Sequence, residues 1–283
     1  MLDALFGKKR PTERYPSLDA VREATHDLLR AAKDGDTKAA EEALKRGAHL
    51  TGRSTASCSA MHLAAASGHA EIVELLLRQK ISDESAPQIA SPTILSKTLR
   101  RRREWLDAPL LHLKDDALRT PLHAAAESGQ SNIVHLILRS LDTAAVAAEP
   151  GRNGTASSLS PEQLALLNAR DVHGRTALIL ACRTPTGRQA VAALVQWGCA
   201  LDAADTDGQT ALMVLSEAGE AALVRLCLRA GADFGAVDEA GETAYSLAAN
   251  EGHTEVRMRA RPRWRAISTR ARTRCARCTR CAR

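Results

Sequence analysis

The densest set of reactive side chains is Cys275-x-x-Cys278-x-x-Cys281, close to the C-terminal end of the sequence. Three thiolates at that spacing can hold a thiophilic ion. A structural zinc site wants four ligands on a folded knuckle, however, and no second Cys or His pair lies nearby. The run is read as composition, and no metal or cofactor is expected. Of the remaining cysteines, Cys58, Cys182, Cys199 and Cys227 show no repeated spacing to a histidine or an acid, so a Cys–His nucleophile is not indicated. Cys182 and Cys227 lie in apolar surroundings, where a thiol behaves as a small hydrophobe. An odd total of seven does not describe a disulfide framework. No glycine-rich phosphate loop, G-x-S-x-G elbow, H-E-x-x-H helix or kinase signature occurs. Gly151-Arg152-Asn153-Gly154 is loop composition with no strand before it. No catalytic residue is expected, and the chain is read as a non-enzyme.

Basic residues are the other candidates. The formal charge is +6, from 39 Lys and Arg against 33 Asp and Glu. Residues 257–283 alone hold 11 arginines and no acid, so taking them from +6 leaves residues 1–256 at −5. A mildly acidic body therefore carries a basic tail. The tail admits three readings: a disordered basic extension, a segment read out of frame, or a nucleic-acid-binding arm. Arg100, Arg101, Arg102 and Arg103 form a second run, readable as a solvated helix face, a nuclear-import signal or a phosphate contact. Sequence-selective nucleic-acid binding wants a reader fold or interleaved aromatics, and aromatic content is 2%. The N-terminal segment has no apolar run of signal length, and no stretch approaches the ~18 apolar residues of a membrane-spanning helix.

The elements that would position such residues come from an internal repeat. Thr120-Pro121-Leu122-His123-Ala124-Ala125-Ala126 recurs as Ser59-Ala60-Met61-His62-Leu63-Ala64-Ala65 and as Thr176-Ala177-Leu178-Ile179-Leu180-Ala181-Cys182. Weaker copies start at Thr210 and Thr243, and the last three starts are 34 and 33 residues apart. A glycine follows each copy (Gly68, Gly129, Gly187, Gly219, Gly252), then an apolar stretch of helical period such as Ile72, Val73, Leu76 and Leu77. The leading Thr is expected to cap a short helix, the Ala pair to allow close packing, and the Gly to end the helix in the left-handed region. Asp171-Val172-His173-Gly174, Asp205-Thr206-Asp207-Gly208 and Asp238-Glu239-Ala240-Gly241 carry turn chemistry.

This period, with these residues, resembles the ankyrin repeat. The resemblance implies an all-α solenoid of about six stacked helix-turn-helix units with projecting hairpin fingers. An atypical first unit, Leu28-Leu29-Arg30-Ala31-Ala32 with Gly35, supplies the terminal cap such a stack needs. Three segments are expected: an N-terminal extension with a short helix (1–26), the repeat domain (27–256) and the Arg-rich tail (257–283). Spacings of 61 and 56 residues between repeat starts place insertions at about 81–117 and 141–166. Lengthening a loop costs only ~0.6 kcal/mol per doubling, so a stack tolerates them. Ser160-Pro161-Glu162-Gln163 is a capping box, predicting a short helix from 161 to about 167.

The resemblance further implies a protein–protein interaction module, scaffold or adaptor without intrinsic catalysis, with His62 and His123 bonding backbone groups of a neighbouring turn. The fingers show a charge gradient. Arg170, His173 and Arg175 lie before Thr176, whereas Asp205, Asp207, Asp238, Glu239 and Glu242 lie further on. These eight residues are the expected contacts, with a basic segment of another protein as the expected partner. A monomer in the cytoplasm, or also in the nucleus, is expected, with no membrane contact. The alternative is a nuclear or nucleic-acid-associated regulator gripping phosphates through Arg100–Arg103 and the tail.

Overall fold

The computed structural model describes residues 18–78, 110–141 and 161–256. Helix pairs follow one another along the chain: α1 (Leu18–Asp34) and α2 (Thr37–Lys45), α3 (Ala60–Ser67) and α4 (Ala70–Arg78), α5 (Pro121–Glu127) and α6 (Ser131–Leu141). After α7 (Pro161–Leu167) come α8 (Ala177–Arg183) and α9 (Arg188–Gln196), then α10 (Ala211–Glu217) and α11 (Ala221–Ala230). Helix α12 (Ala244–Asn250) opens a sixth unit. The inner helices α1, α3, α5, α8, α10 and α12 pack in that order as one layer, and the outer helices α2, α4, α6, α9 and α11 form the second. Among the described residues there is no strand, only isolated bridges pairing Arg53 with Ser59 and Ala204 with Thr210.

The two layers differ because their sequences do. Outer helices bury one stripe, as in α6, where Ile133, Val134, Ile137, Leu138 and Leu141 are inside. The inner helices in the middle of the stack are short and buried almost all round; every residue of α8 from Ala177 to Cys182 is buried, whereas the terminal α1 is 17 residues long and α12 buries only Ala244 and Ala248. Small side chains make that possible. Ala64, Ala65, Ala125 and Ala126 have essentially no exposed surface and let adjacent inner helices approach closely. At the same two motif positions α10 carries Leu215 and Ser216, both fully buried, and the Ser216 hydroxyl has no hydrogen-bond partner.

Caps follow the expected chemistry with one variation. Thr176, Thr210 and Thr243 accept from the backbone N–H of Ile179, Met213 and Ser246. Ser59 and Thr120 instead pair their hydroxyls with a histidine ring, described below. The left-handed glycine is not universal. Gly187 has φ −74, because the longer Thr184–Gly187 linker ends α8 through Thr184, whose hydroxyl donates to the Ala181 carbonyl. At Gly219 (φ +72) the demand is double. An added Cβ would also lie 2.5 Å from the His253 ring, which donates from Nε2 to the Glu217 carbonyl at 2.9 Å. Gly35 and His69 repeat this arrangement at the other end of the stack.

The expected insertions are not loops throughout. Leu110 and Leu111, in a 3-10 turn spanning Leu110–His112, and Leu166 and Leu167 of α7 are all buried in the shared core. Their apolar side chains complete the layer ahead of α5 and α8. Helix α7 spans Pro161–Leu167, matching the capping-box expectation. At the other end α1 runs unbroken through positions 26 and 27. Arg100–Arg103, Cys275–Cys281 and the tail lie outside the described residues.

Candidate partner-binding surface

From the third unit on, each finger turn is built around one aspartate; the turn before α3 starts at Ser54 instead, whose carbonyl accepts from Ser57 N–H. Asp115 Oδ1 accepts from the N–H groups of Ala117 and Arg119, and its Oδ2 takes Arg119 Nε at 2.8 Å. Asp171 does the same with His173, Arg175 and the Arg175 guanidinium. Asp205 accepts from Asp207 and Gln209, and Asp238 from Glu242. Burial alone would raise the Asp171 carboxyl, but the Arg175 hydrogen bonds and charge outweigh it and hold the group below its ordinary value. Successive turns are tied together: Val172 N–H donates to the Ala117 carbonyl, Thr206 to His173, and Glu239 to Asp207. Backbone bonds thus align the finger tips in one row.

The fourth position of these turns takes positive φ. Gly174, Gly208 and Gly241 sit at +70, +77 and +79. In the Asp115 turn the residue there is Leu118, at φ +57. A left-handed conformation costs an L-residue about 1–2 kcal/mol, and a bulky side chain rarely adopts it.

The eight expected contact residues therefore divide. Arg170, His173, Asp207 and Glu239 are exposed on the finger row. Arg175 is committed to Asp171, and its side chain is 22% exposed. Asp205 is withdrawn further: its side chain is 2% exposed, accepts two amide protons and faces Arg183 at 3.6 Å. Asp238 holds its own turn, and Glu242 accepts from Asn250. Asp205 and Asp238 thus keep their fingers in shape, because a buried turn needs its N–H groups satisfied, and Arg175 braces the Asp171 turn.

Between the fingers and the ends of the inner helices lies an open groove of about 580 Å³, lined by residues including Arg183, Asp207, Gln209, Val214, Glu217 and Glu251. Three carboxylates face one guanidinium there, and that guanidinium is shared with Gln209 and Asp205. Glu217 and Glu251 were missed by reading the fingers alone. For Glu217 the signal is register: it lies seven residues after Thr210, where Arg183 lies after Thr176, while Glu251 lies one position further on from Thr243.

The buried histidines are held by backbone groups. Nε2 of His62 faces the Arg119 carbonyl at 2.9 Å, and Nε2 of His123 faces the Ala169 and Arg175 carbonyls. A carbonyl only accepts, so Nε2 carries the proton in both rings. Nδ1 then accepts from the cap residue's N–H and hydroxyl, those of Ser59 and Thr120 respectively. Burial pushes both imidazoles below their ordinary value, keeping them neutral. Each ring is a bracket between one unit and the next finger. Cys182, Cys199 and Cys227 are buried, and burial raises all three thiols, Cys199 to about 12 and Cys227 to about 11. Among the described residues, no cluster of three or more His, Cys, Asp or Glu is arranged to hold a metal ion, and no helix is long and apolar enough to cross a membrane.

Known proteins place this arrangement. Residues 28–147 match the family described as ankyrin repeats (3 copies). The chain is similar to human Ankyrin repeat domain-containing protein 63, with 34% identity over 149 residues, 46% of this chain and 39% of the relative. It is also similar to Ankyrin repeat domain-containing protein SAT10 of Stachybotrys chartarum, 31% identical over 73% of this chain and 9% of the relative. The chain thus spans well under half the length of either protein. The crystal structure of EF0377, an ankyrin repeat protein, superimposes with a TM-score of 0.58 at 21% identity, covering 83% of this chain and 96% of that one. With the repeated motif, paired helices and linked fingers in agreement, the chain is an ankyrin repeat protein with an all-α solenoid fold.

Proposed function

We propose that the chain is a scaffold or adaptor that binds another protein along the face formed by its fingers and inner-helix ends, with no catalysis of its own. Ankyrin repeats are generally protein–protein interaction modules. The observation that carries the reading here is the groove bearing Asp207, Glu217 and Glu251 against the single cation Arg183. A stack tied by backbone bonds and buried caps presents these groups with little ordering cost on binding. Their charge favours a basic segment of the partner, and the chain acts as a monomer in the cytoplasm or nucleus.

Affinity capture on the full chain, followed by mass spectrometry, tests this. The Asp207→Lys/Glu239→Lys variant is expected to lose affinity for the captured protein and to flatten its salt dependence. Equal affinity for the variant would remove the acidic strip. Failure of the native chain to retain any protein would count against the module itself.

A further inference from the structure

Among the described residues the large hydrophobic side chains that stand exposed are Leu118, Val172 and Val237, at 45%, 47% and 55%. All three lie on or beside finger turns, while the rest of the large apolar side chains are at least partly covered by the stack. Singly scattered exposed apolar residues need no explanation; a set confined to one row does. Leu118 and Val172 are also neighbours, since the Val172 N–H donates to the carbonyl of Ala117, the residue before Leu118. Leu118 is moreover held at φ +57, where the matching residue of the preceding turn is the small Ser57 (φ +54) and those of the next three turns are glycine, so Leu118 is the one bulky side chain in that conformation among the described residues. A strained residue whose side chain is half exposed gains little in the free protein, and such outliers point to a site of use.

From this we infer that the Leu118–Val172 finger pair is an apolar anchor for an extended partner segment whose Lys- or Arg-rich end lies over Asp207 and Glu239. The inference rests on the protein-binding reading and adds an order to it: an apolar side chain at the fingers of the third and fourth units, basic side chains at the fifth and sixth. Adjacent packed helices are about 8–10 Å apart, so four units extend over roughly 30 Å. An extended chain covers that distance in about ten residues at ~3.3 Å each.

The test is selection of random peptides of about that length, displayed on phage, against the full chain and two variants. On the native chain, enriched peptides are expected to carry one aliphatic or aromatic residue with Lys or Arg on a fixed side of it. Leu118→Gly is expected to erase the apolar preference and keep the basic one. Asp207→Lys/Glu239→Lys is expected to do the reverse. A synthetic consensus peptide should bind Leu118→Gly about 10-fold more weakly, a hot-spot-sized loss. That variant should nonetheless melt higher, by about 2–4 °C, because glycine relieves the left-handed strain. Weaker binding by a better-folded protein cannot come from unfolding. An apolar preference that survives Leu118→Gly overturns the inference. So does enrichment of basic residues alone on the native chain, which leaves the protein-binding reading standing. No enrichment on the native chain overturns both.

Discussion

Replacing Gly219 by alanine tests how tightly one unit is locked onto the next. Gly219 sits at φ +72, so the substitution carries a left-handed penalty of about 1–2 kcal/mol. Reduced freedom of the unfolded chain offsets ~0.4–1 kcal/mol of this. The new Cβ also falls 2.5 Å from His253 Cε1, so the ring must move and surrender its hydrogen bond to the Glu217 carbonyl, worth about 0.5–1.5 kcal/mol. The expected total is roughly 2 kcal/mol. Gly252→Ala is the internal control: its φ is +75, but nothing lies within 4 Å of the added carbon, so only the backbone part, about 1 kcal/mol or less, remains. Urea titrations followed by circular dichroism would compare the two, with hydrogen exchange of α10 and α12 locating the loss, since a stack can melt from its end. His253→Ala should cost less in the Gly219→Ala background than in the native chain, a coupling of about 1 kcal/mol. Equal costs for Gly219→Ala and Gly252→Ala, or strict additivity with His253→Ala, would refute the interlock.

Three further outcomes follow from buried groups. His62 and His123 are neutral in the fold and held below the ordinary histidine value, so unfolding takes up protons in mild acid. Stability should be full at neutral pH and fall as pH drops below about 6.5, where unfolded histidines titrate; a flat or rising urea midpoint between pH 7 and 5 would contradict this. Peptide mapping after native alkylation at pH 7.5 should find Cys182, Cys199 and Cys227 unmodified until urea is added, because their thiols stay protonated and buried. Ser216→Ala should stabilise by about 1 kcal/mol, since it removes a buried hydroxyl without a partner and restores the motif's alanine. A loss of stability would mean that the hydroxyl is bonded in solution.

The stack was legible because its framework positions are set by local physics that repeats. A threonine that caps, a histidine that brackets and alanines that allow close approach recur at one spacing, and the structure uses them so. What was hidden lay where the period breaks. Leu110-Leu111 lie near the end of a long inserted segment, and two apolar residues there look like loop until the neighbouring helices appear around them; Leu166-Leu167 fall in the helix that the capping box announced, but their burial in the shared core did not show. Gly187 closes a four-residue loop where its counterparts have two or three residues, so the same residue type has ordinary backbone angles. Charge on the fingers was easier to count than to assign. Asp205 and Asp207 are two residues apart, yet the first bends back onto its own turn and the second faces outward. Asp205 leads an Asp-x-x-Gly turn, and that position was the available cue. Glu217 and Glu251 belong to helix ends rather than fingers, and only packing brings them beside Asp207.

Site-specific photocrosslinking addresses the binding face most directly. A photoreactive side chain at Glu217, on the groove, and another at Arg225, exposed on the outer helix α11, would be irradiated with the captured partner present. Crosslinks to a basic segment of the partner are expected from Glu217 and not from Arg225. Crosslinks from Arg225 with none from Glu217 would place the partner on the outer layer and contradict binding along the fingers and inner helices.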